Sequence, residues 1–292
     1  MLIKDTNDIN GNSDVKLHGF SGCKITKNID CSGVPYVKKI SASIDYNPRL
    51  KSSIEKQKYF NTINSSSVLL APEIIDTYFE NGLYCTDMEY CEETHLPKSK
   101  FSDNMITAIM DFIQIAKSNL PFEKINCSFR QAMYLKIESL IPYLSDGLKT
   151  LIKRVFETNL PILNPTFCHG DFTLENILIS DKGEVRLIDF LDCYYPHYYL
   201  DIAKLYQIIE ADWLRIKKGI EPKMNSGEYD FLRKPLDIWI KAEYPEYAKI
   251  HYFLLGVTLM RIIPYAPMLK TKIILEKEIV KYINLYLEGK TL

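Results

Sequence analysis

Nowhere in its 292 residues does the chain place two cysteines in a C-x-x-C pair, and its seven cysteines (Cys23, Cys31, Cys85, Cys91, Cys127, Cys168 and Cys193) are odd in number and scattered. This argues against a disulfide framework and against a thiolate zinc site, and it fits a reducing, cytoplasmic setting. An excess of one charge is also missing: 36 Lys and Arg against 37 Asp and Glu leave a formal net charge of -1. Nothing general then draws the protein to nucleic acid or to an anionic membrane, and any anion it binds must be held by a local site. Long hydrophobic runs are lacking too. The most apolar stretch, "YFLLGVTLM" from Tyr252 to Met260, is cut by Arg261 and Pro264 before it can span a bilayer, so it reads as a buried helix and no membrane span is expected. The opening "MLIKDTNDINGNSD" has no apolar core of the signal-peptide kind.

What is present is an ordinary globular composition, 47% hydrophobic and 25% charged, enough for one large domain or two closely joined lobes. Residues 15 to 45 read as short strands around the turn "DCSG", and "PRLKSSIEKQKYFNTI" as a helix entered through Pro48, with Leu50, Ile54 and Tyr59 at helical spacing. "VLLAPEII" and "GLYCTDMEYC" return to strand character, with "ENG" as the turn between them. After about residue 95 helices dominate: "SDNMITAIMDFIQIAKSNL" puts Ile106, Ile109, Ile113 and Ala116 on one face behind a Ser102 or Asp103 cap. The pattern predicts an α+β protein with a mainly β lobe over residues 1–90 and a mainly α lobe over 91–292.

One stretch breaks the helical run. In "FCHGDFTLENILISDKGEVRLIDFLD", residues 167–192, "NILIS" and "VRLIDF" alternate as strands around "DKGE". Pairing Asp181 with Glu184 across a two-residue turn puts Asn176 opposite Asp189, with about 5 Å between opposed Cα atoms. An amide oxygen and a carboxylate then converge where a cation can sit. Two such ligands are too few to cage a metal alone, but they suit Mg²⁺ that arrives with a nucleotide. Asp171, on the loop leading into the hairpin, is placed to accept a proton from an attacking hydroxyl. Taken singly, each of the three polar residues also has an ordinary structural reading, as a turn residue, a strand-edge residue or a satisfied buried carboxylate.

H-G-D-x-x-x-x-N followed by I-D-F resembles the aminoglycoside phosphotransferase and choline kinase family, a branch of the two-lobed protein-kinase-like fold with a small antiparallel β N-lobe and a larger helical C-lobe. The resemblance implies a small-molecule kinase that moves the γ-phosphoryl group of ATP or GTP to a hydroxyl, with Asp171 as catalytic base, Asn176 and Asp189 as Mg²⁺ ligands and His169 structural. It also implies a strand lysine on the nucleotide phosphates, with a helix glutamate to orient it. "PYVKKIS" offers Lys38 and Lys39 on opposite faces; the family's strand pattern favours Lys39, Lys38 staying as the alternative, and Glu55 is the expected ion-pair partner unless it is a solvated helix charge. Gly19, Ser21 and Gly22 in "HGFSGCK" stand where a shortened phosphate-covering loop is expected, and Glu89, Tyr90 and Cys91 where backbone groups meet the adenine edge, with Met88 beside the base.

The expected acceptor is a sugar, an amino sugar or an amino alcohol. Choline or ethanolamine kinase and aminoglycoside phosphotransferase proper are the alternatives, as is a catalytically inactive kinase-like nucleotide-binding module. "LDCYYPHYYLDIAKLYQ" supplies Tyr194, Tyr195, His197, Tyr198 and Tyr199, which fit either a sugar- or amine-binding wall or plain core. Asp201 reads as a brace for the catalytic loop or as a helix cap, and Arg261 as a contact for a substrate anion or as half of a buried pair. Oligomeric state leaves no trace in the sequence.

Overall fold

Between Val15 and Glu89 the short apolar runs separated by turn residues form a five-stranded antiparallel sheet. In this computed structural model the described residues are 15–17, 22–91, 94–95, 102–180, 182–223, 227–266 and 268–292. Strands β1 (Val15–Leu17), β2 (Lys24–Ile29) and β3 (Pro35–Ile40) run in sequence. After β4 (Leu69–Leu70) come β5 (Ile74–Glu80) and β6 (Leu83–Glu89), and the order across the sheet is β1-β2-β3-β6-β5. The "ENG" turn is a two-residue connection through Asn81 and Gly82, closing on the pair Glu80 and Leu83. A second sheet, ordered β4-β9-β8-β7, joins β4 to β7 (Thr94–His95) and to the hairpin of β8 (Ile177–Ile179) and β9 (Val185–Leu187).

Helix α1 (Asn47–Ile63) begins with Pro48 in its first turn and buries Leu50, Ile54 and Phe60. Phe60, not Tyr59, completes the apolar face. Leu50 and Ile54 pack with Cys23 and Tyr84. Helix α2 (Ser102–Ser118) buries Met105, Ala108, Ile109, Phe112 and Ile113. The Phe60 ring centroid lies 6.1 Å from Phe112 and 5.2 Å from Phe190, so a ring of α1 seats the residue that follows Asp189 and packs in turn on α2. Each such buried ring contributes about 1.5–3 kcal/mol.

These elements belong to the first of two compact units, Met1–Ile115 with Glu175–Asp192; the second is Ala116–Leu174 with Cys193–Leu292. The hairpin therefore packs with the first unit, although it lies in the second lobe when lobes are counted along the sequence. The second unit is helical: α3 (Phe129–Glu138), α4 (Asp146–Phe156), α5 (Tyr198–Ile209), α6 (Trp213–Ile216), α7 (Asp230–Glu243), α8 (Pro245–Met260) and α9 (Leu269–Leu287). As expected, "YFLLGVTLM" lies in a helix, α8, that is buried nearly all round. Among the described residues no helix is long and apolar enough to cross a membrane.

Most of the tyrosine-rich stretch is core. Tyr195, Tyr198 and Tyr199 are buried, with Tyr198 against Tyr244 and Tyr199 against Tyr247 at ring-centroid distances of 5.6 and 5.1 Å. His197 starts α5 by accepting the Tyr199 N–H on its Nδ1 at 3.1 Å. Burial pulls its imidazole down to about 3.

Candidate active site

The expected register of the hairpin is one residue out. Ile177 pairs with Leu187, Leu178 with Arg186 and Ile179 with Val185, so Asn176 stands beside Ile188, whose N–H donates to the Asn176 carbonyl at 3.1 Å. The cause is the turn, which has three residues where a two-residue turn was expected. Ser180 N–H donates to the Glu184 carbonyl and Gly183 N–H to the Ser180 carbonyl, both at 2.9 Å, with Gly183 at φ 85° in the left-handed position that ends such loops. Asp181, the expected partner of Glu184, lies outside the described residues.

Asp189 is not aimed by strand alternation at all. It follows the end of β9 and takes φ 61°, a region that costs a non-glycine residue about 1–3 kcal/mol. The turned backbone delivers its Oδ1 to the Lys39 Nζ at 2.5 Å. Helix α1 holds the strained segment from one face. Ser53 Oγ donates to the Phe190 carbonyl, Lys56 Nζ to the Leu191 carbonyl at 2.7 Å, and Ser52 Oγ to the Asp192 carboxylate at 2.8 Å. Residues 52, 53 and 56 share a helical face because of their spacing. Asp192 is thus tied to this helix.

Of the two adjacent lysines, Lys39 is buried and meets Asp189, while Lys38 points to the other face of β3 and pairs with Glu80 at 2.7 Å. Burial pulls the Lys39 ammonium down, and the Asp189 charge and hydrogen bond outweigh it, leaving the group above its ordinary value. Glu55 is a correction. Its ion pair is with Lys58, one helical turn on at 3.1 Å, and both side chains are well exposed. The buried face of α1 is carried instead by Ser53, Lys56 and Gln57, so the lysine is oriented by the aspartate of the I-D-F motif and not by a helix glutamate.

Glu89 ends β6, an interior strand of its sheet. Its N–H donates to the Glu73 carbonyl at 2.9 Å, and its carboxylate meets Arg186 at 2.8 Å. The Glu89 N–H is therefore engaged with the Glu73 carbonyl, and the expectation of an adenine-facing backbone rests on the Glu89 carbonyl and on the backbone of Tyr90 and Cys91. Tyr90 carries the Lys27 ammonium 3.7 Å above its ring. Gly22 is exposed at φ 73°, while Gly19 and Ser21 lie outside the described residues.

In the second unit the loop before Asp171 is fixed by α5. Asp201 is fully buried, and its two carboxylate oxygens accept the backbone N–H groups of His169 at 2.6 Å and Gly170 at 2.9 Å. Of its two sequence readings the brace holds, since His197 is the helix cap. Gly170 has φ 92°, open only to glycine at low cost, which lets consecutive N–H groups face one carboxylate. The Asp171 N–H donates to His169 Nδ1 at 3.3 Å, so the histidine ring supports the loop from within.

Lys204 is the residue that the sequence reading missed. One turn after Asp201 on α5, its Nζ reaches Asp171 Oδ1 at 2.9 Å. Burial pushes the Asp171 carboxyl up, but Lys204, with His169 and Arg261, outweighs that and leaves it below its ordinary value. The signal was available in "DIAK", where the i,i+3 spacing puts Asp201 and Lys204 on one face. Arg261, just past the end of α8, stacks on Tyr194 with 5.1 Å to the ring centroid. Tyr194 in turn donates its hydroxyl to Met133 Sδ at 3.8 Å on α3, and burial pushes that hydroxyl up to about 12.

Asn176 and Asp189 offer an amide and a carboxylate, the hard oxygen donors that Mg²⁺ takes, and the buried Lys39 beside Asp189 is a fixed cation suited to phosphate oxygens. The donor set fits a nucleotide-borne magnesium ion.

Residues 117–228 match the APH family, described as "Phosphotransferase enzyme family". No curated protein matches the chain in sequence. Among solved structures, a thermostable mutant of aminoglycoside phosphotransferase APH(4)-Ia, in ternary complex with ADP and hygromycin B, is similar at a TM-score of 0.66 and 11% identity, over 92% of each chain. The amicoumacin kinase hAmiN, in complex with AMP-PNP, Ca²⁺ and Ami, is similar at 0.58 and 12%, over 92% of this chain and 87% of that one. Choline kinase LicA from Streptococcus pneumoniae is similar at 0.54 and 14%, over 93% and 92%. The chain thus has the two-lobed protein-kinase-like fold, and over residues 117–228 it resembles the phosphotransferase family to which its H-G-D-x-x-x-x-N and I-D-F motifs point.

Proposed function

We propose that the protein is a small-molecule kinase that transfers the γ-phosphoryl group of ATP or GTP to a hydroxyl of a sugar, amino sugar or amino alcohol. The observation that carries this reading is the buried Lys39 set 2.5 Å from Asp189, a phosphate-binding cation beside a metal-binding carboxylate. Asn176 and Asp189 would hold Mg²⁺, which when bound neutralises charge on the nucleotide phosphates. Lys39 binds phosphate oxygens directly. Asp171 orients the acceptor hydroxyl and takes its proton as the oxygen bonds to phosphorus and the bond to ADP breaks; positioning and charge neutralisation do the rest. Lys204 keeps Asp171 ionised, and Asp201 and His169 keep its loop in place.

Burial raises the Asp171 carboxyl, and Lys204, His169 and Arg261 in the same unit lower it. Lys136 on α3 also feels Arg261, which together with burial lowers its ammonium. The experiment is ADP formation with Mg²⁺ across neutral sugars, acidic sugars, aminoglycosides, choline and ethanolamine, with wild type and Asp171→Asn. Acceptor-dependent turnover that the variant loses, while it still binds nucleotide, is the expected result. A protein stabilised by ATP and Mg²⁺ but inactive on every acceptor would be a binding module. At a hundredfold excess over Kd that stabilisation is about 2.7 kcal/mol.

A further inference from the structure

Two cysteines bracket the stretch that carries Asp171, Asn176 and Asp189. Cys168 immediately precedes His169, and Cys193 stands where the chain re-enters the second unit after Asp192. Their sulfurs are 2.7 Å apart although 25 positions separate them in sequence. Cys168 is buried and Cys193 half-buried. The Glu123 carboxylate joins the cluster, its oxygen and the two sulfurs lying within 4.8 Å of one another. Two thiolates on one tetrahedral zinc, each about 2.3 Å from the metal, would stand roughly 3.8 Å apart. A disulfide holds its sulfurs at about 2.05 Å. The observed separation is nearer the bond, and closing it asks for about 0.7 Å of movement.

We propose that Cys168 and Cys193 are a redox pair that closes into an intrachain disulfide by exchange with a low-molecular-weight disulfide such as oxidised glutathione. Cys193, the more accessible of the two, loses its proton and attacks one glutathione sulfur, forming a mixed disulfide and releasing one glutathione thiolate. Cys168, deprotonated in turn, attacks the Cys193 sulfur and releases the second. Two protein thiols are oxidised and one glutathione disulfide is reduced to two thiols. The new bond ties the entry of the catalytic loop to the exit of the hairpin segment, closing a loop around the proposed base and metal ligands. Because little movement is needed, the oxidised protein keeps the loop geometry and gains thermal stability by restricting its unfolded chain.

The test uses the full chain, equilibrated with oxidised and reduced glutathione, quenched with an alkylating agent and mapped by peptide mass spectrometry, with melting followed in parallel. The expected result is one bridged peptide joining Cys168 and Cys193, two hydrogens lighter than its reduced parts. It comes with a melting midpoint raised by several degrees, reversed by dithiothreitol and absent in Cys193→Ser. Since Cys168→Ser alters a buried position next to the catalytic loop, the half-buried Cys193→Ser is the deciding variant. Alkylation of both cysteines after oxidation, or Cys193 trapped as a stable glutathione adduct, would overturn the proposal. So would an ultraviolet thiolate–metal band on adding Cd²⁺, lost in Cys193→Ser, if no bridged peptide forms.

Discussion

Lys39 Nζ and Asp189 Oδ1 lie 2.5 Å apart across 150 positions of sequence, and the two ends of this ion pair are unequally buried. The lysine side chain is 8% exposed and the aspartate 37%. Removing the aspartate strands a charge away from water, whereas removing the lysine leaves a carboxylate that water can still reach. Asp189→Ala should therefore lower unfolding stability by about 1–3 kcal/mol, and Lys39→Met by less than half as much, in urea denaturation followed by circular dichroism. Equal costs would mean that the lysine is solvated in solution. Both variants should lose phosphoryl transfer.

Asp201 offers a second asymmetry, because one carboxylate serves two backbone donors, the N–H groups of His169 and Gly170. Asp201→Ala leaves both without their partner at a buried site and should cost about 2–4 kcal/mol. Asp201→Asn retains one acceptor oxygen and should recover roughly half of that. With the loop misplaced, kcat should fall in both variants while KM for nucleotide changes little. An unchanged kcat in Asp201→Ala would show that the brace serves folding alone.

What the sequence revealed and what it hid follow a physical division. Strands, helices and motif residues were legible because apolar periodicity and turn residues act locally: "ENG" closes the β5–β6 turn, and α8 is buried where "YFLLGVTLM" is most apolar. Asp171, Asn176 and Asp189 were legible as a spaced motif. The hairpin register was not, because a three-residue turn ending in Gly183 and a two-residue turn share the same letters, and a slip of one residue decides what faces Asn176. The partner of Lys39 was also hidden. A glutamate on α1 looked right by analogy, yet Glu55 points to Lys58, and the aspartate reaches the lysine only through its left-handed backbone. Lys204 sat in plain view in "DIAK" but acquires meaning only when α5 packs on the loop.

Lys204 leads to a prediction about acid. Burial alone would raise the Asp171 carboxyl; the Lys204 charge at 2.9 Å reverses that and holds it below its ordinary 3.8. A depressed carboxyl contributes stability above its unfolded value and loses it as pH falls through the lower folded value, so the wild-type base stays ionised throughout mildly acidic solution. In Lys204→Met burial dominates, and the acid limb of kcat/KM moves upward. The ratio of kcat/KM at pH 5.5 to that at pH 8 should therefore fall in the variant relative to wild type. Lys204→Arg should restore the wild-type limb. A uniform loss at every pH would make Lys204 a structural residue.

His197 tests the core in the same way with the opposite chemistry. Buried at the start of α5, it accepts the Tyr199 N–H and stays neutral down to about 3, against 6.5 when exposed. The unfolded chain therefore binds a proton that the folded chain refuses, and stability is lost as pH falls below 6.5, by up to about 1.4 kcal/mol for each pH unit until the folded value is reached. His197→Asn keeps an acceptor at the helix cap but has nothing to titrate. Its unfolding free energy should lie below wild type at pH 8, since the smaller side chain gives up the stacking on Tyr198 at 4.6 Å. The gap should then narrow or reverse between pH 6 and pH 4. Denaturant melts at pH 8, 6 and 4 decide the matter, and parallel pH curves for the two proteins would show that His197 is protonated within the fold.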